Sequence, residues 1–124
     1  MGITAIVVDN DKDVKDVFVE LLHYSNISVI ATGSNGKEAA ELYQKHRPDF
    51  VFMDVMMPEY NGFYGLEKIR EYDIKAKVIL VTGSINVENE IDNCDATAIL
   101  PKPISMNKVI EIVNQFYVHQ ESIV

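Results

Sequence analysis

The chain has 124 residues, 48% of them hydrophobic, which is the size of one ordinary domain with a core of its own and no room for a second. A formal net charge of −8, with no stretch concentrating Lys or Arg, argues against direct binding to a nucleic-acid backbone and favours proteins or cations as partners. The single cysteine, Cys94, rules out an internal disulfide, and the first apolar run lacks a basic leader, so no signal peptide or membrane span is expected and the cytoplasm is the default compartment.

The elements follow in chain order. Ile3–Val8 reads as a strand, and Val14, Val17, Phe18, Leu21 and Leu22 then form an apolar stripe at helical period. A second strand is expected at Ile27–Ala31 and a helix from Gly36 to His46, opened by the turn dipeptide Asn35-Gly36 and separated by Pro48 from a third strand at Phe50–Met53. Asn61-Gly62 introduces a helix from Gly62 to Tyr72, a fourth strand follows at Lys77–Val81, and Asn86 to Asn93 holds a weaker helix signal. The last strand, Ala98–Leu100, precedes a helix carrying Val109, Ile110, Ile112, Val113 and Phe116 on one stripe. Runs rich in β-branched residues and mostly unbroken by polar ones predict strands buried on both faces of a parallel sheet. Their strict alternation with helices predicts an α/β, doubly wound (βα)5 sheet with the second strand at an edge.

The stretch VVDNDKD, Val7 to Asp13, resembles the start of a calcium loop, since Glu20 lies at the spacing of its bidentate ligand. Three features exclude that geometry. The position that needs a turn glycine is Val14, the residues before Asp9 form a strand, and Glu20 falls inside the first helix.

In sheets of this kind ligands bind at the carboxyl ends of the strands, so the residues after each apolar run carry the functional signal. They are Asp9, Asn10 and Asp11, then Asp54, Thr82 and Lys102, whereas the edge strand contributes Thr32 and Gly33. Clustered carboxylates without a Cys or His pair favour a hard cation such as Mg²⁺ or Mn²⁺. A carboxylate that also faces an ammonium and a hydroxyl can act as a nucleophile toward phosphorus, because those groups spread over the phosphoryl oxygens as charge develops. The edge therefore reads as a phosphoryl-transfer or phosphate-sensing site.

Four segments in order, VVDND at 7–11, DVMMPEYNG at 54–62, VTGS at 81–84 and PKP at 101–103, resemble the CheY-like receiver domain of two-component response regulators over essentially the whole chain. The resemblance implies one receiver domain over 1–124 without an output domain, a flavodoxin-like fold and strand order 2-1-3-4-5. By the same resemblance Asp54 accepts a phosphoryl group from a phosphohistidine of a sensor histidine kinase or phosphotransferase. Asp9, Asn10, Asp54 and the backbone carbonyl of Met56 would hold the metal, Lys102 would pair with the phosphoryl oxygens, and Pro103 would follow a cis bond. Thr82 would carry the signal to the face built by the fourth predicted helix, the fifth strand and the last helix, where a downstream protein, an effector domain or a second copy would bind. No enzyme activity beyond self-catalysed phosphorylation and dephosphorylation of Asp54 is expected.

Departures from the family pattern matter as much. Asn10 stands in place of a second acid, so the formal charge of the occupied site rises from near zero to about one positive unit, and Mg²⁺ is expected to bind more weakly unless Asp11 approaches. Ile99 stands where the family usually has a rotating Tyr or Phe, Gly83 replaces a common Ala, and Asp95 replaces a frequent Gly. These departures keep open an alternative, a phosphorylation-independent interaction module. A haloacid-dehalogenase-like hydrolase is disfavoured because Met56 occupies the place of its acid/base Asp. Bland readings exist for the neighbours: Asp11 as a helix N-cap, Asp13 and Asp16 as solvated helix residues, the methionines 53, 56 and 57 as packing around the site, and His23, His46 and His119 as surface or boundary residues.

Overall fold

Alternation with a period of two inside each apolar run sets the layers of the molecule. The computed structural model describes residues 2–83 and 94–117. Strands β1 (Ile3–Val8), β2 (Ile27–Gly33), β3 (Phe50–Asp54), β4 (Val78–Thr82) and β5 (Ala98–Pro101) form one parallel sheet in the order β2-β1-β3-β4-β5. Ala5, Val7, Phe50, Phe52, Ile79, Val81 and Leu100 face α1 (Lys12–Tyr24) and α4 (Met106–Phe116). Ile6, Val8, Val51, Met53, Val78 and Leu80 face α2 (Gly36–His46) and α3 (Gly62–Tyr72). Both faces of the central strands are thus covered, the reason their sequences are nearly all apolar. The helix expected from Asn86 to Asn93 lies outside the described residues.

The strands reach farther toward their carboxyl ends than their apolar runs suggest. Asp54 and Thr82 are the last residues of β3 and β4 and not the first residues of loops, in register with Val81 and Pro101 respectively. Their backbones are held by the sheet, which fixes where their side chains start. At the edge, β2 alternates between buried and exposed positions, and a register shift against Ala5 and Ile6 leaves Ile30 as an unpaired, exposed extra residue. Such a bulge blunts a free strand edge.

Two helical stripes are narrower than their periodicity implies. Phe18 and Leu22 are buried, but Val14 is 37% and Val17 56% exposed, on the side of α1 that lines a groove with Pro103 and Ile104. In α4 Val109, Ile112 and Val113 are buried while Ile110 faces outward. Each helix start is capped by a side chain accepting backbone N–H groups: Asp11, Asn35, Asn61 and Ser105.

The glycines of the two Asn-Gly pairs serve close approach, since no described glycine has a positive φ. A Cβ on Gly62 would lie 2.5 Å from the Asp54 carbonyl oxygen and 2.8 Å from the Val55 Cα, and one on Gly36 would strike the Asn61 carbonyl. Gly65 meets Gly36 across the α2–α3 contact, with its own Cβ direction filled by the Met53 sulfur at 2.6 Å. Gly62→Ala should therefore destabilise the fold by about 2–3 kcal/mol, because the obstructing atoms are backbone. Gly83→Ala, whose new atom would make an ordinary 3.4 Å contact with the Lys102 side chain, should change stability by less than about 0.5 kcal/mol. Urea denaturation at unchanged m-value checks both.

Candidate functional site

The sheet order brings the predicted residues together. β1 and β3 are neighbours, so the carboxylates that end them, Asp9 and Asp54, stand side by side; both are buried, as is Thr82 at the end of β4. Lys102 follows β5 and reaches back across β4. Its ammonium lies 3.3 Å from Asp54 Oδ2 and 3.7 Å from Asp9 Oδ2, and its backbone N–H donates to the Thr82 carbonyl at 2.9 Å. The Lys102-Pro103 peptide is cis, as expected.

Burial pushes the Asp54 carboxyl above its ordinary value of 3.8, and the neighbouring Asp9 carboxylate acts in the same direction. The Lys102 charge, its hydrogen bond and the backbone N–H of Met56 pull the other way without overcoming that burial. Asp9 is anchored from two sides: its N–H donates to the Gly33 carbonyl at 3.1 Å, and its Oδ1 accepts the Asp11 N–H at 2.9 Å.

Asp11 does not approach the pair to replace the missing second acid. Its Oδ1 accepts the N–H groups of Asp13 and Val14 at 3.0 and 3.2 Å, so it is the N-cap of α1. Asn10 is exposed at the rim. Asp13 is exposed in the first turn and Asp16 pairs with Lys12 at 2.7 Å. Met53 and Met57 are buried in the core, but Met56 is 58% exposed, so the packing explanation for the methionines fails at that residue. His23 is exposed, its Nε2 accepting the Val29 N–H, and His46 is half-buried. Ile99 is half-buried against the α2–α3 side of the core.

Among the described residues no group of three or more His, Cys, Asp or Glu side chains converges as metal ligands. The available donors are nonetheless all hard oxygens: the carboxylates of Asp9 and Asp54, the Asn10 amide and the Met56 carbonyl. That chemistry fits Mg²⁺ or Mn²⁺, which keep several waters and need few protein ligands.

Sequence reasoning missed two residues at or near these strands. Arg70 donates to the Asp95 carbonyl at 3.0 and 2.8 Å, to Thr97 Oγ1 and to the Ala76 carbonyl, and pairs with the Asp95 carboxylate at 3.2 Å. Asp95 in place of a frequent glycine is thereby explained: its φ is not positive, and it fastens the approach to β5 onto α3. Lys15 reaches from α1 to the end of β2, where its Nζ donates to the Gly33 carbonyl at 3.3 Å and to Ser34 Oγ at 3.4 Å. Neither has a motif signature, since both act through backbone carbonyls distant in sequence.

With this geometry, the comparisons with known proteins agree. Residues 5–114 match the response regulator receiver domain family. The chain is 35% identical over 116 residues to protein CcdB of Bacillus subtilis (strain 168), covering 92% of this chain and 97% of that protein. It is 30% identical over 112 residues to chemotaxis protein CheY of the same organism, covering 89% and 93%. Among solved structures, the CheX-CheY-BeF3-Mg complex from Borrelia burgdorferi superposes with a TM-score of 0.83 at 25% identity, covering 94% of this chain and 90% of that one. The chain belongs to the receiver-domain family of two-component response regulators. Among the described residues no helix is long and apolar enough to cross a membrane.

The raised Asp54 pKa has a defined consequence for stability. Between 3.8 and its raised folded value the folded state binds more protons than the unfolded one, so Asp54 makes stability fall as pH rises through that window. Asp54→Asn should therefore raise the melting temperature at pH 7, and the gain should close as the pH is lowered past the ordinary carboxylate range. Thermal melts of the two proteins from pH 7 to about pH 3.5 measure it.

Proposed function

We propose that Asp54 accepts a phosphoryl group from a phosphohistidine on a sensor histidine kinase or phosphotransferase, and that the modified domain changes its binding to a downstream protein or effector domain. The observation that carries this reading is the ammonium of Lys102 shared between two buried carboxylates at the carboxyl edge of the sheet. An Asp54 carboxylate oxygen attacks phosphorus, the P–N bond breaks, and the released imidazole nitrogen takes up a proton. Lys102 is tethered where it can follow the charge onto the phosphoryl oxygens, and the Thr82 hydroxyl starts from the end of the adjacent strand. Asp9, Asn10, Asp54 and the Met56 carbonyl would hold a divalent cation, which when bound offsets the negative charge of the entering phosphoryl group.

A protein donor needs a surface beside the site. The exposed Val14 and Val17 of α1, with Phe18, Leu21, Pro103 and Ile104, line an apolar groove bordered by Lys102, so a donor seated there lies beside the ammonium that contacts Asp54. A second copy could also bind through the face formed by the helix expected from Asn86 to Asn93, β5 and the last helix. The second reading, binding without phosphorylation, is favoured by Asn10 and Ile99, which weaken the charge balance and remove the aromatic ring of the usual switch.

Fluoroberyllate or a small phosphodonor with millimolar Mg²⁺ should alter the spectrum of the wild type, and Asp54→Ala should abolish the response. Absence of any response in the wild type refutes phosphorylation, and equal partner affinity of the two proteins under phosphorylating conditions supports the second reading. Val17→Asp should slow transfer from a protein donor by about tenfold or more while leaving small-donor phosphorylation intact, because an unpaired charge disrupts an apolar contact but not the chemistry. Rates of phosphorylated-product formation with the two donors separate these effects.

A further inference from the structure

We infer that Lys15 lowers the divalent-cation affinity of the site at Asp9 and Asp54, an inference that rests on the cation-binding part of the reading above. Lys15 is half-buried on α1 and its ammonium is held by two neutral acceptors, the Gly33 carbonyl at 3.3 Å and Ser34 Oγ at 3.4 Å. The same Gly33 carbonyl accepts the N–H of Asp9 at 3.1 Å, so the charge of Lys15 is fixed one acceptor atom away from the backbone of a proposed metal ligand.

Two other basic residues on this side are paired with acids at short range, while Lys37 lies over the Tyr60 ring, 5.8 Å from its centroid. Lys102 stands between Asp9 and Asp54, and Lys12 pairs with Asp16. Lys15 forms no ion pair among the described residues. Glu38, on α2, directs its two oxygens to the Ser34 N–H at 2.9 Å and the Asn35 side-chain amide at 3.4 Å. Asp11 has its Oδ1 engaged by the start of α1. A divalent cation beside Asp9 thus adds its charge to that of an ammonium held in place by neutral acceptors, at a site that Asn10 already leaves one negative charge short. Both features act in one direction, holding occupancy low until free Mg²⁺ is abundant.

Coulomb repulsion between a fixed unit charge and a nearby dication in partly watered surroundings corresponds to roughly a three- to tenfold change in affinity at low ionic strength, and it shrinks as salt screens it. The test is a MgCl₂ titration followed by the amide chemical shifts of Asp9, Asn10, Asp54 and Met56, which needs no phosphorylation. Lys15→Met and Lys15→Gln should each lower the Mg²⁺ midpoint three- to tenfold in dilute buffer, with the gap closing as KCl is raised, whereas Lys15→Arg should keep the wild-type midpoint. Asn10→Asp serves as the positive control and should lower the midpoint further. If Asn10→Asp tightens binding while both neutral Lys15 variants titrate as wild type, the inference is overturned and the cation site stands. A change shared by Lys15→Arg and insensitive to salt also overturns it, because geometry and not charge is then responsible. If neither the wild type nor Asn10→Asp responds to Mg²⁺, the cation-binding reading itself fails.

Discussion

Two carboxylates buried next to each other are unstable unless a cation is held between them, and in this molecule that cation is the ammonium of Lys102. The demand explains much of the architecture around it. Asp9 and Asp54 end neighbouring strands, and Lys102 must come from a strand two places away, so the chain has to cross β4 before it can balance them. The backbone bond from Lys102 to the Thr82 carbonyl and the dense packing of both helical layers keep that reach short. The compensation is incomplete: Asp54 still titrates above its ordinary range, which leaves room for a stronger cation and for a group that carries its own negative charge.

The receiver-domain relationship and the geometry support each other at different resolutions. Family membership accounts for the strand order and for the four groups at the sheet edge. It does not account for Asn10, Asp95 or Ile99, and those are the residues that set this chain apart. Asp95 is a structural adaptation, because Arg70 waits for it with donors already committed to the Ala76 and Asp95 carbonyls. Asn10 has no such ion-pair partner among the described residues and is exposed at the rim of the site.

The strands and the four described helices are legible because burial on two faces and on one face leave different periods in the sequence, and the polar residues that interrupt those periods mark the site. Where the reading slipped, tertiary context decided. Val14 and Val17 continue the period of α1, yet they line an open groove beside Pro103 and Ile104 and are not covered by the core. Met56 was grouped with two buried methionines, but it lies beyond the strand end where the chain turns outward. Asp11 could be read as ligand or cap from spacing alone, and only the direction of the helix axis separates the two. Lys15 and Arg70 leave no motif, since most of their bonds go to backbone carbonyls and their side-chain partners, Ser34, Asp95 and Thr97, lie far off in sequence.

The contact between Gly36 and Gly65 also has a mechanical meaning. Helices whose backbones touch have no side-chain layer to deform, and here the Gly36 N–H is bonded to the Tyr60 carbonyl while the Gly62 N–H is bonded to that of Val55. The loop that follows Asp54 is therefore clamped at both ends to a stiff pair of helices. Displacement at the sheet edge meets little compliance on that flank, where backbone packs directly on backbone with no side chain between.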